Sequence, residues 1–321
     1  MTKTVGDRCR FRPPAEGATV VWEVTNYCNL ACKHCLSDSS PQIPRSDDLS
    51  TSRFLDAVRE MVSSGVTEFY LTGGEPFARE DLVEIIAAID PKVAEVYVNS
   101  NGYFITQETA EALRGTALRR ITVSVDGHNR ESQALVRNKP TSFDRAIVAV
   151  ERLLAADVPV RVSHVVHPGN VDHVAAFCAE MALLGVEALV INSVFPAGRA
   201  ARHPELGLSP ERKQQLFDEL TELQVKYKQL GMQIDHSLGK PQPSDVEGCP
   251  AGQSVFFVAP NGDLATCSWL YKLDQDRFRL GNLEEASFTE LRAGVEPMMR
   301  PVRELATACP LPLLTLPVIQ P

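Results

Sequence analysis

The feature that most constrains the fold is a regular alternation of apolar runs and helix-like segments over the first two-thirds of the chain. Six apolar runs, from residues 18–25 to residues 187–196, are each followed by a segment typical of a helix; residues 49–65, for example, have Ser50 as an N-cap and Gly65 as a stop. Near-continuous apolar strands occur in parallel sheets buried on both faces, and serial β/α crossovers of one hand build such a sheet. Six units predict an α/β fold with a partial (β/α)6 barrel, whose chemistry lies at the carboxyl ends of the strands.

The chain changes character where this alternation ends. A Pro/Gly-rich linker is followed by two β-rich runs around Asn261-Gly262, a pair that favours a tight hairpin turn. A short helix at residues 287–294 and a Pro-rich tail complete the chain. We therefore predict three parts, which are an N-terminal segment at 1–17, the barrel at 18–235 and a small appended domain at 236–321.

The composition of the 321-residue chain excludes several classes of protein. A net charge of −9 without a basic block is unfavourable for nucleic-acid binding. No apolar run reaches the length of a membrane span, and the polar N-terminus does not resemble a secretory signal. We therefore expect a cytoplasmic protein with no nucleic-acid or membrane partner. In a reducing cytoplasm, clustered cysteines are more often metal ligands than disulfides.

The densest group of metal-ligating side chains is CNLACKHC at residues 28–35, in the loop after the first predicted strand. Cys28, Cys32 and Cys35 are spaced CxxxCxxC, and thiolates select zinc or iron–sulfur clusters. One alternative is a Cys3His zinc site that uses His34. Because His34 is adjacent to Cys35, its ring is poorly placed to reach the same ion. An iron–sulfur cluster held by three cysteines instead leaves one metal position open for chemistry.

This motif and several short motifs at the ends of predicted strands resemble the radical S-adenosylmethionine (SAM) superfamily. The motifs are CNLACKHC at 28–35, GGEP at 73–76, SNG at 100–102, SVDG at 124–127 and PAGRA at 196–200. The resemblance implies that Cys28, Cys32 and Cys35 hold a [4Fe–4S] cluster whose open iron binds SAM. It also implies an electron donor such as flavodoxin or ferredoxin. Cleavage of SAM would then give a 5′-deoxyadenosyl radical that abstracts a hydrogen atom from a substrate C–H bond.

The resemblance also implies SAM-binding roles for seven further residues, which are His34, Gly73, Gly74, Glu75, Ser124, Arg137 and Asn170. The two glycines let the backbone approach the amino group of SAM, and the Glu75 carboxylate suits that ammonium. Ser124 is placed for the ribose or carboxylate, and the Arg137 guanidinium is well shaped for the carboxylate. Asn170 is placed for the ribose or carboxylate. His34 takes the position of an aromatic residue against the adenine.

Each of these assignments has a structural alternative. Gly73-Gly74 and Asp126-Gly127 are also typical of plain turns, Arg137 of a solvated surface charge, and Asn170 of a helix N-cap. Cys178 lies in the middle of a predicted helix. It is either a core thiol or a catalytic hydrogen-atom donor to a substrate radical.

A second group of cysteines, Cys249, Cys267 and Cys309, lies in the predicted appended domain. Twelve residues separate Cys249 from Gly262 and four separate Gly262 from Cys267, which resembles the opening of the SPASM and twitch domains. Those domains hold auxiliary iron–sulfur clusters behind radical SAM barrels, so we expect one auxiliary [4Fe–4S] cluster in the shorter twitch form. Three alternatives remain for the fourth ligand of this cluster. It is supplied by Cys9, it is supplied by a side chain other than cysteine, or the fourth iron is left open. The alternative is that the three cysteines are unrelated and buried.

The expected substrate is a small molecule, such as a sugar, nucleoside or antibiotic precursor, that is oxidised, epimerised or given a sulfur atom. Only seventeen residues precede the first strand, too few for a leader-peptide-binding domain, and an open auxiliary iron suits substrate ligation or sulfur donation. Maturation of a ribosomally made peptide is the alternative enzymatic function. An alternative of another class is a non-catalytic iron–sulfur or zinc scaffold.

Overall fold

A computed structural model describes residues 17–238 and 249–305. Within these ranges the strands are β1 Ala18–Glu23, β2 Val66–Thr72, β3 Glu95–Ser100, β4 Leu118–Ser124, β5 Val160–Val166, β6 Ala188–Ser193, β7 Gln233–His236, β8 Val255–Val258, β9 Asp263–Ala265 and β10 Arg279–Asn282. The α-helices are α1 Thr51–Ser63, α2 Leu82–Ala87, α3 Gln107–Leu113, α4 Arg130–Arg137, α5 Thr141–Ala155, α6 Val174–Leu183, α7 Pro210–Lys228, α8 Ser268–Leu273, α9 Gln275–Phe278, α10 Phe288–Arg292 and α11 Val295–Leu305. No helix in these two ranges is both long and apolar enough to cross a membrane.

The described strands form one sheet in the order β10-β9-β8-β1-β2-β3-β4-β5-β6-β7. From β1 to β7, each strand pairs in parallel with the strand that follows it in the chain. Parallel neighbours require crossover connections, which α1 to α7 supply. The predicted α/β class with a parallel sheet is therefore confirmed.

Two elements of the barrel region are absent from the sequence prediction. β7 has only four residues, of which Ile234 alone is buried, so it lacks the apolar run by which the other strands are recognised. It extends the parallel series from six strands to seven. α4 is a short polar helix that begins at a capping box, in which Asn129 and Ser132 exchange side-chain and backbone hydrogen bonds.

The core lies between the sheet and the helices. Trp22 of β1 stacks on Phe54 of α1 with ring centroids 3.8 Å apart, and both side chains are fully buried. Each such burial stabilises the fold by about 1.5–3 kcal/mol. α1 begins after the predicted N-cap Ser50, whose side chain accepts a hydrogen bond from the backbone of Arg53. These contacts fix β1 and therefore the start of the loop that carries CxxxCxxC.

The chain after residue 249 continues the same sheet. β8 pairs in parallel with β1, Thr19 lying opposite Val255, and β8 and β9 form the hairpin predicted around Asn261-Gly262. Gly262 has φ +86°, a conformation that glycine adopts without strain. The division of the chain at residue 235 stays a prediction.

Candidate functional site

Residues 24–39, which we call the cysteine loop, connect β1 to the segment before α1. Cys28 and Cys32 are buried, and the half-buried Cys35 packs with them around Leu30. The backbone N–H of Leu30 donates to Cys28 Sγ at 3.4 Å, and that of Cys35 donates to the Cys32 carbonyl at 3.1 Å. These bonds fold the loop so that its three sulfurs share one small apolar cluster.

The buried thiols of the cysteine loop are protonated when no metal is bound. Burial raises the pKa of Cys28 to about 12 and that of Cys32 to about 11. Arg137 opposes the shift at Cys32, because its Nη1 lies 4.0 Å from the sulfur. Since metals bind thiolates, loading of this loop releases protons.

The donor set fits an iron–sulfur cluster better than a single zinc ion. Nε2 of His34 donates to Asp126 Oδ2 at 2.9 Å and is not available as a fourth ligand. The other ring nitrogen, Nδ1, is buried and makes no hydrogen bond within the described residues. In the part of the chain that the structure describes, no three His, Cys, Asp or Glu side chains converge as one metal ion requires. An iron–sulfur cluster is larger than a single ion, so its ligands can lie farther apart. The three cysteines of this loop supply the thiolates that such a cluster requires.

Gly73 and Gly74 lie directly after β2, against residues 25–27 of the cysteine loop. Gly73 has φ +134°, and a Cβ there would lie 2.3 Å from the Thr25 carbonyl oxygen; a Cβ on Gly74 would lie 2.0 Å from that of Tyr27. The backbone N–H groups of Gly74 and Glu75 donate to these two oxygens at 2.7 and 2.8 Å. Glycine is therefore required here for contact between two protein backbones. The predicted approach of these glycines to SAM stays a prediction.

Glu75 is completely buried and joins the ends of β2 and β3. Its Oε1 accepts from Ser100 Oγ at 2.6 Å and from the Phe77 N–H at 3.1 Å, and its Oε2 accepts from the Asn101 N–H at 2.7 Å. Burial raises the pKa of this carboxyl, and the hydrogen bonds partly oppose the increase. The side chain thus has a structural role, and its predicted contact with the SAM ammonium stays a prediction.

Asp126, which sequence reasoning treated only as part of a turn, is the centre of the polar network beside the cysteine loop. It is fully buried, and its Oδ2 accepts from Arg137 Nη2 at 2.7 Å and Nε at 2.8 Å as well as from His34. Its Oδ1 accepts from the Val165 N–H at 2.8 Å. Burial alone would raise its pKa, but Arg137 and His34 outweigh burial and hold the pKa well below the usual range.

Arg137 and His34 are both fixed by this carboxylate. Arg137 is only 6% exposed, so it is not a solvated surface charge. Burial acts to lower the pKa of Arg137, but the charge of Asp126 outweighs burial and the pKa is raised overall. The guanidinium therefore remains charged. Its predicted role toward the SAM carboxylate, and that of His34 toward the adenine, stay predictions.

Asn170 and Ser124 lie at the same end of the sheet. Asn170 is buried, and its amide donates to the carbonyls of Asp126 at 2.7 Å and Val165 at 2.9 Å. It precedes a 3₁₀ turn at Val171–His173 without capping it through its side chain. Ser124 ends β4 half-buried, and its hydroxyl makes no hydrogen bond within residues 17–238 and 249–305. Contacts of both residues with SAM stay predictions.

Arg199, in the loop after β6, holds the far side of the cysteine loop. Its guanidinium donates to the carbonyls of Cys32 at 2.8 Å, Asp38 at 3.0 Å and Ser39 at 2.8 Å. Gly198 has φ +59°, and a Cβ there would lie 2.2 Å from a carbonyl oxygen of the cysteine loop. The sequence offered PAGRA as a motif, but the three accepting carbonyls lie more than 150 residues away in the chain and have no sequence signal.

The remaining predicted cysteines are placed as follows. Cys178 is fully buried in the core on α6, and burial raises its pKa to about 12. Cys249 is buried before β8, and Cys267 is half-buried directly before α8. Cys9 and Cys309 lie outside the described residues. The auxiliary cluster and its ligand set therefore stay predictions.

A cavity of about 720 Å³ opens beside the cysteine loop. Its walls include Leu36 and Ser37 of that loop, Glu23 at the end of β1, residues 195–198 after β6, and α8. β1 and β6 are five places apart in the sheet, so one cavity reaches the ends of both only because the sheet curves toward closure. The cavity therefore lies where the two sides of a partial barrel approach each other.

Comparison with known proteins identifies relatives of this chain. A family model described as the radical SAM superfamily matches residues 22–180. The mycofactocin maturase MftC of Mycolicibacterium smegmatis is 34% identical over 269 residues, which are 82% of this chain and 67% of that protein. The AdoMet-dependent heme synthase of Methanosarcina barkeri is 28% identical over 311 residues, which are 90% of this chain and 86% of that protein.

Among solved structures, SuiB of Streptococcus suis bound to S-adenosylmethionine superposes with a TM-score of 0.71. The match covers 90% of this chain and 68% of SuiB at 14% identity, so it supports the shared fold alone. That fold is the partial barrel with a C-terminal extension that the sequence predicted.

Proposed function

The chain belongs to the radical SAM superfamily, and from this premise we propose that it is an enzyme that matures a peptide. Enzymes of this superfamily bind SAM and a [4Fe–4S] cluster through cysteines. When bound, these groups supply the one-electron chemistry that activates an unreactive C–H bond. Cys28, Cys32 and Cys35 would hold the cluster, because they are the thiols brought together at the carboxyl end of the barrel.

The peptide alternative has better support than the small molecule that the sequence favoured. A relative at 34% identity is named a mycofactocin maturase, and the match covers 82% of this chain. A protein of the same fold, SuiB of Streptococcus suis, has been solved bound to its precursor peptide SuiA. An electron donor such as flavodoxin or ferredoxin is part of the proposal.

The observation that carries the proposal is the cavity beside the cysteine loop. Its volume of about 720 Å³ lies within the range of pockets that enclose a sizeable ligand. Its wall combines apolar side chains such as Leu36 and Phe195 with polar ones such as Asn26 and Ser37. A peptide segment presents the same mixture of apolar side chains and polar backbone.

The heme synthase relatives favour a tetrapyrrole as a second candidate substrate. Natural tetrapyrroles of that class carry carboxylates. The cavity has three carboxylates in its wall, those of Glu23, Asp47 and Asp48, against one cation, Lys272. Like charges in a half-buried site repel, so the cavity is better suited to a peptide.

The proposal is tested by anaerobic reconstitution of the protein, followed by incubation with SAM, a reductant and peptides encoded beside its gene. We expect 5′-deoxyadenosine together with a mass change in one peptide, and neither product from a Cys32→Ala variant. Turnover of a tetrapyrrole or small metabolite without turnover of any peptide would overturn the peptide proposal. Absence of 5′-deoxyadenosine under every condition would overturn radical chemistry altogether.

A further inference from the structure

The charged side chains around the cavity are unequally neutralised. Lys272 of α8 pairs with Glu23 and donates to Ser37 Oγ at 2.7 Å, and Ser37 donates to Glu23 Oε1 at 2.6 Å. This closed group joins α8, β1 and the cysteine loop. It therefore removes both the cation and one of the three carboxylates from the charge that the cavity presents to a ligand.

Asp47 and Asp48 are the two cavity carboxylates that remain. Neither forms an ion pair with a residue of the described ranges; Asp48 only accepts hydrogen bonds from the Thr25 side chain and the Asn26 backbone. The positive charges of Arg79 and Arg45 act to lower the pKa of Asp48, against the larger effect of burial, but neither arginine lines the cavity. Arg79 is bound to Asp81, at 2.6 Å, and to two backbone carbonyls, and Arg45 donates to the Ala78 carbonyl.

Aromatic side chains also line the cavity. Phe195 and Trp269 meet edge to face with centroids 4.2 Å apart. Tyr271 is held in place because its hydroxyl donates to Asp263 Oδ2 at 2.9 Å. Ring faces attract cations, and they also pack well against the aliphatic stems of lysine and arginine.

We propose that this cavity is a subsite for a cationic side chain, lysine or arginine, of the peptide substrate. Asp47 and Asp48 pair with the cationic head, and Trp269 and Phe195 cover the stem. The inference rests on the proposed function, because it names the kind of residue that a peptide substrate presents next to the cysteine loop. It predicts selectivity by charge, which a merely apolar pocket would lack.

The two tryptophans of the chain allow the subsite to be observed directly. Trp22 is fully buried and stacked on Phe54, whereas Trp269 borders the cavity. In the full-length protein labelled with 5-fluorotryptophan, ¹⁹F NMR gives two resonances, and Trp269→Phe identifies the one from the cavity. The probes are the Nα-acetyl methylamides of lysine, norleucine and glutamate, which differ in charge.

We expect the lysine probe to shift the Trp269 resonance at lower concentration than norleucine does, while the Trp22 resonance stays in place. Glutamate is expected to bind more weakly than norleucine. The Asp47→Asn, Asp48→Asn double variant should raise the Kd for lysine by about three- to tenfold, as expected for partly exposed ion pairs. Glu222→Gln, an equivalent change on the exposed face of α7, should leave it unchanged.

Equal affinity for the three probes, or no shift of the Trp269 resonance with any of them, would overturn the subsite. These outcomes are separate from a failure of the proposed function. If lysine binds with the expected selectivity but no peptide is modified, the subsite stands and the maturase proposal fails. If peptides are modified with rates independent of Asp47 and Asp48, the maturase proposal stands and the subsite fails.

Discussion

Asp126→Asn is the substitution for which the structure gives the clearest quantitative expectation. Asparagine keeps the size of the side chain and an oxygen for the Val165 N–H, but it removes the charge that faces Arg137 and His34. Arg137 is then left as a buried cation without its carboxylate. Removing one partner of a buried ion pair costs about 3–5 kcal/mol. Solvent screening takes little from this value, because the two side chains are only 7% and 0% exposed.

The assay is guanidinium unfolding of the metal-free protein at neutral pH. The matched control is Asp144→Asn, since Asp144 pairs with Arg130 at 2.7 Å but the two side chains are 41% and 68% exposed. We expect the free energy of unfolding to fall by about 3–5 kcal/mol for Asp126→Asn. For the control we expect about 0–1 kcal/mol. Iron content after reconstitution should fall only in the first variant, because His34 belongs to the cysteine loop and Arg137 lies 4.0 Å from Cys32 Sγ.

A double variant separates the ion pair from other consequences of the substitution. Asp126→Asn combined with Arg137→Met removes the charge of both partners. It should cost less than the sum of the two single changes, by a coupling of about 0.5–3 kcal/mol. Additive costs, or a cost for Asp126→Asn no larger than that of Asp144→Asn, would refute the reasoning.

The ion pair of Asp126 and Arg137 also makes the stability of the protein depend on pH. Burial raises the pKa of Asp126, but Arg137 and His34 outweigh it, and the folded-state pKa is lowered. A lowered pKa gives stability that is complete above the unfolded value of about 3.9 and is lost as the pH falls toward the folded value. The gap between wild type and Asp126→Asn should therefore be steady from about pH 5 upward and narrow in stronger acid.

Three further predictions concern the same end of the sheet. Burial lowers the pKa of His167 to about 4, so the unfolded chain takes up this proton before the folded chain does as the pH falls. His167→Gln should therefore reduce the loss of stability between about pH 6.5 and pH 4, measured as the guanidinium midpoint. The same dependence of that midpoint on pH in variant and wild type would contradict this. Gly74→Ala places a Cβ 2.0 Å from a backbone oxygen and should abolish iron retention, whereas Gly207→Ala, with its nearest contact at 3.3 Å, should retain it. Arg199→Ala should destabilise the metal-free protein by about 2 kcal/mol or more and lower the iron content after reconstitution. Arg202→Ala, whose side chain is 62% exposed, is the control. Equal iron content in the two variants would contradict the role of Arg199 in holding the cysteine loop.

Elements with local sequence signals could be predicted from the sequence. The parallel strands follow from continuous apolar runs, the start of α1 from Ser50, and the hairpin from Asn261-Gly262. β7 could not be predicted in this way, because it is a strand only through its pairing with β6, and Ile234 is its one buried residue.

The polar network of the site could be predicted only in part. Glu75 was recognised as a carboxylate at a strand end, but the sequence does not reveal that Ser100 and Asn101 engage both of its oxygens. Asp126 resembled a turn residue because its partners come from the cysteine loop, α4 and β5, which are far apart in the chain. Such partners are set by how the sheet curves, and no local pattern encodes that.

The pairing of β8 with β1 has a consequence for the order in which the protein assembles. β1, which leads into the cysteine loop, is flanked by β2 on one side and on the other by a strand from the last quarter of the chain. Contacts between residues so distant in sequence form slowly, because a long loop must close first. During synthesis, the strand that leads into the cysteines therefore keeps one edge unpaired until β8 has left the ribosome. The sheet beside the cysteine loop is therefore complete only after β8, more than 200 residues further along the chain, has been made.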